Sequence, residues 1–163
     1  MRECFVILFC FLSFSIHADE LERDLKDLEG KTSIIQNYTG DGKWLIVMIW
    51  ASDCSVCSQT APKIVDFHER HKDKDMSVLG IALDGYEERQ AVVKFIDRNA
   101  LTFPNLIAEM PDFALRYEFE VGERLLGTPT YLVFSPDGEL VANNPGPVEP
   151  AALERFIAAR TEN

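Results

Sequence analysis

One stretch of the chain limits the possible folds more than any other. Residues 43–50, KWLIVMIW, form a near-continuous apolar run rich in branched and aromatic side chains, which is typical of a strand buried on both faces. Such a strand needs helices on both sides of its sheet, so the run predicts an α/β protein. Two cysteines, Cys54 and Cys57, follow where the strand is expected to give way to a helix.

The rest of the chain is predicted to alternate strands with helices. Ser52 or Asp53 is expected to cap the helix after the first strand, which bends at Pro62 and reaches about His71. Residues 20–29, ELERDLKDLE, are expected to form another helix. The remaining elements are expected, in chain order, as a strand over 77–84, a helix over 87–99, an extended piece over 103–107, a helix over 111–119, paired strands over 130–134 and 139–143, and a helix over 149–160. This order is β-α-β-α, an inserted stretch, then β-β-α.

The first 18 residues differ from the rest of the chain. Residues 4–16 are an apolar run shorter than the roughly 20 residues of a membrane span, which predicts a signal peptide cleaved near Ala18. The mature part, 19–163, is then one domain, exported to the periplasm or secreted. The alternatives are a membrane anchor formed by residues 4–16, or a buried N-terminal strand.

The charge of the chain excludes some classes of partner. The net charge is −11, from 16 basic and 27 acidic residues, and no cluster of lysine and arginine stands out. A nucleic acid or an anionic membrane surface is therefore not an expected partner.

The cysteine pair indicates a catalytic role more than a structural one. Cys4 and Cys10 lie in the N-terminal apolar run, so the mature chain keeps only Cys54 and Cys57. A pair two residues apart closes too small a loop to stabilise a domain usefully. The start of a helix stabilises a thiolate at Cys54, and Cys57 lies one turn deeper as a second thiol. A nucleophile with a resolving thiol behind it is what thiol–disulfide exchange requires.

Several motifs in combination resemble the thioredoxin fold. The exported TlpA/ResA-like thioredoxins are the most similar branch, and the resemblance runs from about residue 25 to the end. The motifs that carry it are Trp50-Ala51-Ser52 before the cysteines, Cys54-Ser55-Val56-Cys57, Pro62, Gly127-Thr128-Pro129-Thr130, Leu28-Glu29-Gly30-Lys31, and an insert over residues 84–119 after the second core strand. The resemblance implies a central mixed β-sheet flanked by helices.

The resemblance also implies roles for residues. Cys54 would attack a client disulfide and Cys57 would resolve the mixed disulfide, while Thr128 and a cis Pro129 present a backbone edge to the client. Trp50 would pack beneath the site. The remaining residues expected to support it are Asp53, Ser55, Val56 and Pro62. No metal or organic cofactor is implied. The expected partners are client proteins with disulfides and an upstream redox protein in the membrane, and the protein is expected to be a monomer.

Three positions depart from the family pattern. Asp53 replaces a second aromatic residue, and its carboxylate should disfavour a thiolate at Cys54. Met48 and Thr60 stand where relatives have carboxylates that assist proton transfer at the buried sulfur. The proton acceptor for Cys57 is therefore not identified by sequence. The resemblance favours a reductant, while an oxidase or isomerase remains the alternative direction.

Other functions compete with thiol–disulfide exchange. His68 and His71 suggest a zinc site with the cysteines, but His68 would lie about 16 Å along the helix from Cys57, too far to share a metal. These histidines are therefore expected in a solvated stretch. Copper binding by the thiols and a redox-inactive binding module with a structural disulfide also remain open. A peroxidase would need an activating threonine and arginine that the sequence does not show.

Overall fold

The computed structural model describes residues 25–161. The signal peptide predicted over residues 1–18, its cleavage near Ala18 and the alternative anchor over 4–16 all lie outside the described residues. Within residues 25–161, no helix is both long and apolar enough to cross a membrane.

A mixed sheet forms the centre of the molecule. Its strands are β1 Leu25–Lys26, β2 Thr32–Ser33, β3 Trp44–Trp50, β4 Met76–Ala82, β5 Asn105–Ala108, β6 Thr130–Phe134 and β7 Leu140–Pro145, in the spatial order β2-β1-β5-β4-β3-β6-β7. The neighbours β3, β4 and β5 run parallel, and all other pairs are antiparallel. Every residue of β3 is buried, which confirms the strand predicted from the apolar run.

Within the described part of the chain, four α-helices cover both faces of the sheet. They are α1 Ser55–His71, α2 Arg89–Asn99, α3 Met110–Val121 and α4 Pro150–Thr161. The side chains of β3 alternate between two cores, with Ile46, Met48 and Trp50 on one face of the sheet and Leu45, Val47 and Ile49 on the other. The first core packs against α1, α2 and α4, and the second packs against α3. This is the thioredoxin fold, as expected from the motifs, with α2, β5 and most of α3 in the predicted insert.

Residues 25–29 do not form the helix expected over 20–29, and residues 20–24 lie outside the described residues. Leu25 and Lys26 pair antiparallel with β5, and the chain turns at Gly30 into β2. The Asp27 carboxylate accepts the backbone N–H groups of Glu29 and Lys31, which holds that turn. Leu25 is completely buried. Burial of this side chain and strand pairing at the sheet edge therefore outweigh the helical propensity of a charged segment.

His68 also departs from its prediction, because it is buried rather than solvated. Its Nδ1 accepts the backbone N–H of Val78 at 3.2 Å, and its ring packs edge-on against Phe103. Burial lowers the pKa of His68, which favours the neutral ring that this contact needs. His68 thus joins α1 to β4 as a structural side chain.

Candidate active site

Cys54 and Cys57 form a disulfide at the start of α1. Cys54 is the N-cap of the helix, and its Sγ accepts the backbone N–H of Cys57 at 3.0 Å. The prediction of a Ser52 or Asp53 cap is therefore wrong. Cys54 is partly exposed, whereas Cys57 is completely buried. The two sulfurs thus sit in different surroundings, one at the surface and one in the core.

The loop before Cys54 is tied to the end of β4. The backbone N–H of Ser52 lies 3.1 Å from each oxygen of the Asp84 carboxylate, and the Ser52 hydroxyl donates to Oδ1 of the same group. Ser52 therefore bonds to Asp84, two residues after the end of β4, and does not cap the helix. No local sequence pattern marks Asp84, because its role depends on parallel strands ending at the same edge of the sheet.

The proline loop lies against Cys54. The Thr128–Pro129 peptide bond is cis, as expected. The Thr128 carbonyl oxygen is 3.5 Å from Cys54 Sγ, and in the disulfide neither atom carries a hydrogen. The Pro129 carbonyl accepts the N–H of Gly146 at 2.8 Å, which anchors the loop to the end of β7. The loop thus brings a backbone edge beside the sulfur that reaches the surface.

Trp50 is completely buried at the end of β3, two strand positions after Met48 on the same face of the sheet. Its ring stacks on Phe95 with centroids 4.3 Å apart, and its Nε1 donates to Asn105 Oδ1 at 3.2 Å. A Cβ at Gly80 would lie 1.9 Å from that amide oxygen, so only glycine leaves room for the contact. Asn105 is a second polar residue that sequence analysis did not single out.

A family comparison identifies the chain more closely. A model of the AhpC/TSA family matches residues 18–143. The chain belongs to the AhpC/TSA family.

Individual relatives agree with this family and with the fold. Sporulation thiol-disulfide oxidoreductase A of Bacillus subtilis is 26% identical over 133 residues, which are 81% of this chain and 75% of the relative. Thiol-disulfide oxidoreductase ResA of Halalkalibacterium halodurans is 28% identical over 133 residues, 82% of this chain and 70% of the relative. The exposed lipoprotein thioredoxin Etrx1 of Streptococcus pneumoniae superposes with a TM-score of 0.60 at 25% identity, covering 83% of this chain and 97% of Etrx1. Family, fold and disulfide together put this AhpC/TSA protein in the class of thioredoxin-like thiol–disulfide oxidoreductases.

The predicted site residues do not all meet in this AhpC/TSA protein. A groove of 480 Å³ beside the disulfide is lined by Ser52, Asp53, Cys54, Ser55, Ser58, Gln59 and Arg98. Val56, between the cysteines, is 40% exposed. Pro62 lies on the exposed side of α1 and lines a different groove, shared with Glu149 near α4. Pro62 is therefore not among the side chains that surround the sulfurs.

The described residues contain no cluster suited to a metal. Across residues 25–161, no three histidine, cysteine, aspartate or glutamate side chains lie close enough to hold an ion. The imidazole of His68 is engaged with Val78, ten residues along the chain.

Proposed function

We propose that this protein is an exported thiol–disulfide oxidoreductase that reduces disulfides in client proteins through Cys54 and Cys57. The observation that carries the proposal is the contrast between the two sulfurs. Cys54 Sγ lies at a helix start, accepts the N–H of Cys57 and contacts the cis-proline loop, whereas Cys57 is completely buried. An accessible nucleophile and a protected resolving thiol support the two successive steps of an exchange.

The exchange has two steps and transfers two electrons. The Cys54 thiolate attacks one sulfur of a client disulfide, the client S–S bond breaks, and one client thiolate leaves. Cys57 then attacks Cys54 Sγ, the mixed disulfide breaks, and the second client thiolate leaves. Two electrons pass from the dithiol to the client, and each client thiolate takes up a proton. The Cys54–Cys57 disulfide seen in the structure is the product state of the protein.

The helix start favours the first step. The N–H of Cys57 and the dipole of α1 stabilise negative charge on Cys54 Sγ. A client segment that reaches Cys54 Sγ would meet the Thr128 carbonyl, which lies 3.5 Å from that sulfur, and the exposed side chain of Val56 lies between the two cysteines in the sequence. We therefore assign Thr128 and Pro129 to client binding and Cys54 and Cys57 to catalysis.

Export and partners are part of the same proposal. The apolar run over residues 4–16 supports a signal peptide cleaved near Ala18, and the similarity to an exposed lipoprotein thioredoxin supports export. A reductant outside the cytoplasm must regain electrons after each turnover. An upstream redox protein in the membrane would supply them, and the mature protein would act as a monomer.

Insulin reduction in the presence of dithiothreitol tests the proposed activity. The parent protein should accelerate precipitation of the insulin B chain, and Cys54→Ser should abolish the acceleration. Reduced Cys57→Ala, mixed with insulin after the dithiothreitol has been removed, should instead accumulate a mixed disulfide visible on a non-reducing gel, because no second thiol then releases the client. Full activity in Cys54→Ser would overturn the assignment. A parent protein with no activity would instead favour the alternative function, a redox-inactive binding module.

A further inference from the structure

Tyr131 carries a buried hydroxyl that the proposed mechanism does not use. The residue lies on β6, two positions after cis Pro129 and opposite Met48 of β3. It is completely buried and belongs to the same core cluster as Cys57. Among the described residues, no group makes a hydrogen bond of good geometry with its Oη. Native cores rarely leave such a group unsatisfied, so Tyr131 calls for a functional explanation.

The hydroxyl of Thr60 is the neighbouring polar group, although in the disulfide form it makes no hydrogen bond of good geometry with Tyr131. Thr60 follows Cys57 by three positions on α1, so the two side chains share one face of the helix. Thr60 Oγ1 directs its single hydrogen to the carbonyls of Val56 and Cys57, at 3.1 and 3.2 Å. The lone pairs of Oγ1 are therefore available to accept from the Tyr131 hydroxyl.

Reduction of the disulfide creates a need for such a group. The Cys57 sulfur is completely enclosed, and it must carry negative charge when it attacks Cys54 Sγ. A buried anion requires a hydrogen-bond donor. No aspartate or glutamate within residues 25–161 is buried. The buried Asn105, His68 and Thr130 already bond to other groups, and the buried Arg116 pairs with Glu120.

We propose that Tyr131 and Thr60 form a hydroxyl pair that positions a hydrogen bond onto the Cys57 thiolate during the resolving step. Tyr131 donates to Thr60 Oγ1, and the Thr60 hydrogen turns from the two carbonyls to Cys57 Sγ. The pair supplies hydrogen bonds and no net proton. The proton lost by Cys57 reaches the departing client sulfur through solvent. This inference rests on the proposed exchange activity and names the residues that support its second step.

The surroundings keep the phenol in the form that donates. Burial raises the pKa of Tyr131 to about 12, so the group stays protonated at neutral pH and acts as a donor rather than a base. Other titratable or charged groups near the site are Asp53 and Arg98 in the groove and Tyr86 at the edge of the same core. These three remain unchanged in the variants below, so their effects are common to every protein compared.

The chromogenic disulfide dithiobis(nitrobenzoate) releases one coloured thiol in each of two steps, so the reactions of the two cysteines can be measured separately. Reduced protein is mixed with dithiobis(nitrobenzoate) across a pH series. The first release of thionitrobenzoate reports attack by Cys54, and the second reports resolution by Cys57. Tyr131→Phe should leave the first release unchanged. It should slow the second about tenfold near neutral pH and move its pH profile up by about one unit, the effect of losing one hydrogen bond to a charged group.

Three matched variants distinguish positioning from packing. Tyr117→Phe removes the hydroxyl of another buried tyrosine, which belongs to the core on the opposite face of the sheet, and should leave both releases unchanged. Thr60→Val should reproduce the Tyr131→Phe profile, whereas Thr60→Ser should keep the parent profile because it retains the hydroxyl. Thr60→Val also provides the test if Tyr131→Phe fails to fold.

The possible outcomes separate the two proposals. The proposal of a hydroxyl pair is overturned if the second release in Tyr131→Phe and Thr60→Val keeps the pH profile of the parent. It is also overturned if Tyr117→Phe shows the same shift in that profile. A parent protein that gives the first release and no second would instead contradict the exchange mechanism itself.

Discussion

At the scale of single residues, two opposing influences meet at Cys54. The N–H of Cys57 points at its Sγ and stabilises a thiolate, while the carboxylate of Asp53, the preceding residue, opposes one. Asp53 is exposed, so solvent and salt weaken its effect. The helix start should therefore dominate, with Asp53 as a moderating charge.

Replacing Asp53 tests this balance. Asp53→Asn should increase the rate at which iodoacetamide alkylates Cys54 in the reduced protein by about two- to fivefold at low salt, the range expected for one exposed charge pair. A neutral reagent is needed because removal of a negative charge would also attract an anionic reagent. The increase should shrink as salt is added.

An aspartate at the far end of α1 provides the control. Asp73 is exposed and lies just beyond the helix, about 25 Å from its start by the rise per residue. Asp73→Asn should therefore leave the alkylation rate unchanged. Equal rates in Asp53→Asn and the parent at low salt would show that the carboxylate does not act on Cys54.

At the scale of elements, close packing between β3, β4 and β5 holds Trp50 in place. Gly80 of β4 leaves the space in which Asn105 of β5 accepts the indole N–H of Trp50. Gly80→Ala should lower the free energy of unfolding by about 2–4 kcal/mol, because the methyl group overpacks the strands and leaves the indole N–H unsatisfied. Urea denaturation followed by tryptophan fluorescence measures this loss.

A double-mutant cycle identifies the cause of that loss. Asn105→Ala removes the side chain that the new methyl group would approach most closely, at 1.9 Å, whereas Trp50 Nε1, at 2.9 Å, stays in place. In the Asn105→Ala background, Gly80→Ala should therefore cost at least about 1 kcal/mol less than in the parent, a coupling typical of residues in contact. Additive losses would mean that the methyl group clashes elsewhere.

The difference between local patterns and contacts across elements explains which features could be predicted from the sequence. The fold follows from local patterns, because β3 is apolar throughout and α1 and the β6–β7 hairpin carry helix and turn signals of their own. The cysteines and Pro129 likewise belong to short motifs. Asp84, Asn105 and Tyr131 act through partners on other elements, so no local pattern marks them. The helix predicted at Leu25 is wrong for the same reason, because the charged neighbours of Leu25 favour a helix but the residue pairs with Ala108 in the sheet.

At the scale of the whole molecule, the redox state of the cysteine pair and the stability of the fold are linked. The folded and unfolded forms, each oxidised or reduced, make a closed thermodynamic cycle. The oxidised protein is more stable than the reduced protein if the folded pair has a lower reduction potential than the pair in the unfolded chain. Each 30 mV of that difference corresponds to about 1.4 kcal/mol for this two-electron couple.

This link gives a test of the direction of electron flow that needs no client. If the protein is a reductant, its disulfide form should unfold at a higher urea concentration than its dithiol form. A variant with both Cys54→Ser and Cys57→Ser should show the same midpoint with and without dithiothreitol, which controls for effects of the reagent. A reduced form more stable than the oxidised form would assign the protein to the oxidising direction, because folding would then favour the dithiol. The sign of one stability difference thus decides between the two directions that the site geometry permits.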